Sequence, residues 1–150
     1  LEKGIYISRI DGDITTYDMR FIKPNTPPFL PNPVMHTIEH LFATYARNSE
    51  FKESVIYVGP MGCRTGFYLL ARNLSSENAI KLVRDSFRFI SEFNGDIPGA
   101  TEAECGNYLE HDLKSAKKDV LPLLKKLEKH HKNMLMKWQK WQKIYGKKWI

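Results

Sequence analysis

Apolar and polar positions change period several times along the chain, and each change marks an element. In "GIYISRIDGDITTYDMRFIKPN", residues 4–25, two stretches rich in β-branched and aromatic residues flank Asp11-Gly12-Asp13, so a β-hairpin is expected. "PNTPPFLPNP" holds five prolines and reads as a stiff connector, neither helix nor central strand. It ends in a helix start signal, with Asn32 as expected cap and Pro33 at the first helical position, and the helix should run to about Asn48. "SVIYVGP" and "TGFYLLAR" read as two further strands, joined through the glycine-flanked loop "PMGC". "SSENAIKLVRDSFRFISEF" has helical spacing, with Ala79, Val83, Phe87 and Ile90 on one stripe and Ser75 or Ser76 as cap. "NGDIPG" ends it. From Asp112 onward, apolar residues recur at 113, 116, 120, 123, 127, 134, 138, 141 and 145, the pattern of one long C-terminal helix or of two halves kinked near Pro122. Strands grouped around helices, without strict βαβ alternation, predict an α+β fold: an antiparallel sheet packed against helices.

Length and charge narrow this picture. The 150 residues suffice for one compact domain, 42% of them are hydrophobic, and no apolar run reaches the roughly 20 residues a membrane-spanning helix needs. The chain starts at Leu1, and natural sequence is expected to precede it. The net charge of +6 is unevenly placed. Residues 112–150 carry 12 lysines against three acidic side chains, a net +9, while residues 1–111 carry 11 basic and 14 acidic side chains, a net −3. A mildly acidic body speaks against nucleic-acid binding there and confines that reading to the tail. Residues 137–150, with three tryptophans among lysines, form a basic, aromatic extension of the single domain. It is expected to lay an apolar face on the body; a nucleic-acid or membrane-surface contact is the alternative. Two cysteines, Cys63 and Cys105, are too few for a disulfide scaffold. Reduced thiols in a cytoplasmic setting are expected, and a Cys63–Cys105 disulfide is the alternative.

The candidate chemistry starts at "HTIEHL", residues 36–41. Histidines four apart share one helical face and can converge on a single ion, and H-x-x-E-H is also an inverted zinc-peptidase motif in which the carboxylate handles the proton of water. Solvated or core histidines are the bland alternative. A catalytic site needs a third protein ligand and an open position. Either Cys63 or Cys105 can be that ligand, leaving the other as a reactive thiol, or both are buried structural cysteines.

Four motifs in order, "YDMRFIKPN", "HTIEHLFA", "GPMGCRTGFYL" and "AECGNYLEHDL", resemble the LuxS family, the S-ribosylhomocysteine lyases. The resemblance runs from about Tyr17 into the early part of the last helix. It implies His36, His40 and Cys105 as metal ligands, Cys63 as catalytic thiol, Glu39 as second acid/base group and Arg20 as a substrate-pocket residue. It further implies one divalent metal ion per subunit, ferrous iron with zinc or cobalt able to substitute, and a homodimer with sites at the subunit boundary. The family's N-terminal segment, with a serine and a histidine that reach the substrate, has no counterpart after Leu1. The strand before "PMGC", which often carries an acid near the substrate amine, has Tyr57 instead. Arg47, eleven residues after His36 on the same helical stripe, is a further candidate, suited to clamp a substrate carboxylate.

The implied reaction moves the ribose carbonyl by two proton shifts and then expels homocysteine by β-elimination. It yields 4,5-dihydroxy-2,3-pentanedione, a quorum-sensing autoinducer precursor. A Lewis-acidic ion would stabilise the enediolate charge, with Cys63 expected beside it as base for carbon-bound protons and Glu39 shuttling protons among oxygens. The rival readings are a small H-x-x-E-H metallohydrolase, which has no use for Cys63, and a non-enzymatic binding module acting through the basic tail. The expected partner is the small substrate, with no nucleic acid and no membrane.

Overall fold

A computed structural model describes residues 1–129 together with Lys140 and Lys143. The expected hairpin is present: β1 spans Gly4–Asp11 and β2 Ile14–Arg20, with Gly12 at φ 62 making the turn that a side chain would resist. The two later strands are β3, Val55–Pro60, and β4, Gly66–Arg72. All pairings are antiparallel, in the order β1-β2-β4-β3. Gly66 has to be glycine, because a Cβ there would collide with the carbonyl oxygen of Met19 on β2.

Alternation along the strands separates two faces. Ile5, Ile7, Tyr17, Met19, Phe67, Leu69 and Ala71 point into the core under the helices. Between them, Tyr6, Asp18 and Tyr68 stand opposite one another on the other face. Arg20 lies on that face too, between Gly4 of β1 and Gly66 of β4.

Helix α1 covers Asn32–Asn48 and α2 covers Ser76–Glu92. The cap of α2 is as expected: Ser75 accepts from the Asn78 amide at 3.2 Å. The start of α1 differs. Asn32 is already the first helical residue, Pro31 is the cap, and no side chain caps the end. The extended backbone at Pro31 (φ −63, ψ 147) delivers the chain directly into the helix. Val34, Ile38, Leu41, Phe42 and Ala46 of α1 meet Ile80, Val83, Phe87 and Ile90 of α2 and the sheet. Each large apolar side chain so buried stabilises the fold by about 1.5–3 kcal/mol.

The C-terminal helical stretch is bent, as α3, Leu113–Asp119, and α4, Leu121–Lys129, with Val120 between them. Pro122 has no N–H to offer the preceding turn, which accounts for the break at this point. Ala116, Val120, Leu123 and Leu127 are buried, so this much of the apolar repeat packs on the body. Apart from Lys140 and Lys143, the extension at 137–150 lies outside the described residues.

Candidate metal centre and thiol site

The apolar stripe of α1 leaves the adjoining stripe, His36, Glu39, His40, Ala43 and Arg47, turned towards an open cleft of about 630 Å³. A long connection from α2 to α3, with few helical turns of its own, wraps over this stripe. It closes tight turns on itself, such as the Cys105 amide bonding to the Thr101 carbonyl at 2.9 Å.

Three donor atoms converge. His36 Nε2 and His40 Nε2 are 3.1 Å apart, and Cys105 Sγ lies 3.3 Å from the first and 3.8 Å from the second. The other ring nitrogens are committed: His36 Nδ1 donates to the Glu110 carbonyl and His40 Nδ1 to the Pro98 carbonyl, each at 2.8 Å. With the protons held on Nδ1, both Nε2 atoms present lone pairs to each other and to the sulfur. Two lone pairs at that distance repel unless an electrophile sits between them. Metal–nitrogen bonds of about 2.0–2.1 Å and metal–sulfur bonds of about 2.3 Å, at tetrahedral angles, place N···N at about 3.3 Å and N···S at about 3.6 Å. The observed spacings fit that donor set, and the Glu110 and Pro98 carbonyls that accept from Nδ1 are the outer partners that metal-ligating histidines use. Gly99, at φ 74, lets the backbone approach His40; a Cβ there would sit 3.3 Å from Nδ1.

His111 joins this group, which sequence reading missed although it lies within the quoted "AECGNYLEHDL". Its ring stacks on His36, with centroids 4.0 Å apart and planes 19° from parallel, and one of its nitrogens lies within 4.8 Å of the other three donors. Nδ1 is 3.0 Å from the Thr37 hydroxyl, which also accepts from the Asp112 amide at 3.0 Å. Nε2 is buried without a hydrogen-bond partner among the described residues. Burial, and then the neighbouring His36 and His40 rings, push the His111 pKa down to about 4. Its motif position gave no hint of this, because the contact to His36 spans a long stretch of chain.

The cleft beside the three donors is lined by Glu39, Arg47 and Tyr57. Glu39 and His36 also border a second hollow, with Pro60 and Glu110. The helical stripe thus places Glu39 and Arg47 on the same side as the donor cluster.

Cys63 and Arg20 form a separate cluster and do not line that cleft. Arg20 Nη1 lies 3.7 Å from Cys63 Sγ and 2.7 Å from Thr65 Oγ1, and Asp18 holds the opposite edge of the guanidinium at 2.7 and 2.9 Å. Burial raises the Cys63 pKa, but the Thr65 hydroxyl and amide and the Arg20 charge outweigh it, so the thiol lies below its ordinary value. Both cysteines are free, which sets aside a Cys63–Cys105 disulfide. The expectation that Cys63 sits beside the ion is therefore not met within one chain. Cys63 lies in the β3–β4 turn, beside Arg20 on the sheet face away from the helices, whereas Cys105 is carried over α1.

Fold and donor set together define an α+β sandwich with a candidate mononuclear metal centre of two imidazoles and one thiolate. The chain belongs to the LuxS family: residues 4–134 match the family described as S-Ribosylhomocysteinase. Among relatives, the S-ribosylhomocysteine lyase of Phocaeicola vulgatus is 46% identical over 87% of this chain and 84% of its own length. The one from Clostridium acetobutylicum is 46% identical over 77% of each chain, and that from Borreliella afzelii 48% identical over 78% of each. No helix among the described residues is long and apolar enough to cross a membrane.

Proposed function

We propose that the chain is a metal-dependent S-ribosylhomocysteine lyase, cleaving the thioether to homocysteine and 4,5-dihydroxy-2,3-pentanedione. The observation that carries this reading is the convergence of His36 Nε2, His40 Nε2 and Cys105 Sγ with both Nδ1 protons committed elsewhere. Three protein ligands leave one position open, the arrangement of a catalytic centre. The donor set suits ferrous iron, and zinc or cobalt can replace it. When bound, such an ion supplies Lewis-acid stabilisation to the sugar oxygens as negative charge develops on them.

In this reading the chain's own residues do the proton work. Cys63, with its lowered pKa, takes the carbon-bound protons. Glu39, on the cleft stripe, moves protons among the sugar oxygens and assists the elimination. Arg20 holds the sugar end near Cys63, and Arg47 clamps the amino-acid carboxylate at the far end of the cleft. A homodimer completes the site, with the thiol cluster of one subunit facing the donor cluster of the other. Two observations support pairing. The described helices pack on one face of the sheet only, and Ile56, Tyr57 and Leu109 are exposed apolar side chains, Leu109 at 81%. Two free thiols at functional positions fit a reducing cytoplasm.

The test is anaerobic purification, elemental analysis and homocysteine release measured with a thiol reagent. Cys63→Ala and Glu39→Gln should each abolish release while metal content stays unchanged. Mixing Cys63→Ala with His40→Ala chains should restore part of the activity through hybrid dimers. Normal turnover by Cys63→Ala overturns the assignment of the base, and no restoration on mixing overturns the shared site.

A further inference from the structure

A buried threonine, Thr65, stands between Arg20 and Cys63. Thr65 is 2% exposed and is held by its backbone from both sides. Its carbonyl accepts from the amides of Phe21 and Ile22 at 2.9 and 3.1 Å, and the preceding Arg64 carbonyl accepts from Leu30 at 3.0 Å. Arg64 itself has φ 61, a left-handed turn that brings Thr65 back towards Cys63. The hydroxyl therefore has a fixed place: 2.7 Å from Arg20 Nη1 and 3.0 Å from Cys63 Sγ.

Donor counting sets the direction of these bonds. A guanidinium can only donate, so Arg20 takes a lone pair of Thr65 Oγ1. The single hydroxyl hydrogen is then available to the sulfur, and a thiolate, having no proton of its own, must receive it. The Arg20 charge cannot do this work alone. Asp18 binds Nε and Nη2 as a two-point pair, which offsets much of that charge, and Nη1 lies 0.7 Å farther from the sulfur than the hydroxyl does. Hydrogen bonds to an ionised acceptor are the stronger kind, so the nearer direct donor decides.

We propose that Thr65 is a positioning residue for Cys63: its hydroxyl, polarised by Arg20, donates to Sγ and holds the sulfur aimed and in its proton-accepting form. The inference rests on the catalytic role given to Cys63 only for its consequence in turnover. The charged and titratable groups around the sulfur are Arg20, Asp18 behind it, and the Tyr68 phenol. When the hydroxyl is lost, the Thr65 amide and, at 3.7 Å, Arg20 Nη1 remain as donors to the sulfur, but neither supplies the short hydroxyl bond at 3.0 Å.

The experiment follows alkylation of Cys63 by iodoacetamide against pH in the metal-loaded full chain, read by peptide mass spectrometry so that Cys105 is counted separately. Thr65→Val, which keeps the shape and drops the hydroxyl, should raise the midpoint by about one pH unit, and alkylation at pH 6.5 should slow about tenfold. Thr65→Ser, which keeps the donor, should leave the midpoint near that of the unsubstituted chain. In homocysteine release, Thr65→Val should lose more kcat at pH 6.5 than at pH 9, with KM little changed. A Thr65→Val profile that superimposes on the original, or a Thr65→Ser profile shifted as far as Thr65→Val, overturns the proposal. Should Thr65→Val not fold, Thr65→Ala makes the same comparison. A Cys63 midpoint in the unsubstituted chain no lower than that of the denatured chain overturns it without any variant. If alkylation shifts but turnover does not, the Thr65–Cys63 bond stands and the catalytic assignment of Cys63 falls.

Discussion

Replacing Thr37 by valine tests how the donor cluster is held together. Thr37 is fully buried beside His36, and its hydroxyl meets both His111 Nδ1 and the Asp112 amide at 3.0 Å, across 74 and 75 residues of chain. Valine fills the same volume, so little cavity energy enters. What is lost are two hydrogen bonds, and two partly buried polar groups are left unpaired. At about 1–1.5 kcal/mol for each, the fold should lose about 2–3 kcal/mol, a large part of a typical 5–15 kcal/mol stability. The consequence for the ion follows from position. Asp112 lies two residues beyond Glu110, whose carbonyl fixes the His36 tautomer, and seven beyond Cys105. Releasing that end loosens an outer partner of a ligand, a change that weakens metal binding by about 10–100-fold. Urea unfolding of the chelated protein reads the first number, and chelator competition for zinc reads the second. Thr37→Ser should keep most of both. A Thr37→Val chain within about 0.5 kcal/mol of the original, with unchanged zinc affinity, would refute the reasoning.

Three further outcomes are expected. Cys105→Ser should leave the purified chain well below about one ion per chain by elemental analysis, because a neutral hydroxyl replaces the thiolate in the donor set. Chelation of the unsubstituted protein should lower its Tm with the logarithm of the free metal concentration, by the linkage between binding and folding, as thermal melts at graded metal concentration will report. Gly99→Ala should cost about 1 kcal/mol in chemical denaturation from its left-handed φ and crowd His40 Nδ1, weakening zinc affinity as well; equal stability and affinity would contradict the assigned close approach.

Local patterns carried a good part of this molecule. Stretches rich in apolar, β-branched and aromatic residues became four strands, although Asp11, expected in the turn, closes β1, and β2 stops at Arg20; the Ser75 cap formed as its side chain allows. Asn32 did not cap, because Pro31 already holds the extended backbone from which α1 starts. The i, i+4 spacing put His36 and His40 together, since a helix alone decides that distance. The family motifs named Cys105, Cys63, Glu39 and Arg20 as the residues to follow.

Contacts between distant segments belong to the tertiary structure. Local spacing cannot say that the Glu110 and Pro98 carbonyls lock the two imidazoles, that His111 stacks on His36, or that Thr65 stands between Arg20 and Cys63. Nor can it say that Cys63 falls beside Arg20 on the sheet face away from the helices while Cys105 lies over α1. Pattern and propensity act over a few residues, whereas these placements depend on how the sheet, α1 and the connection to α3 pack against one another.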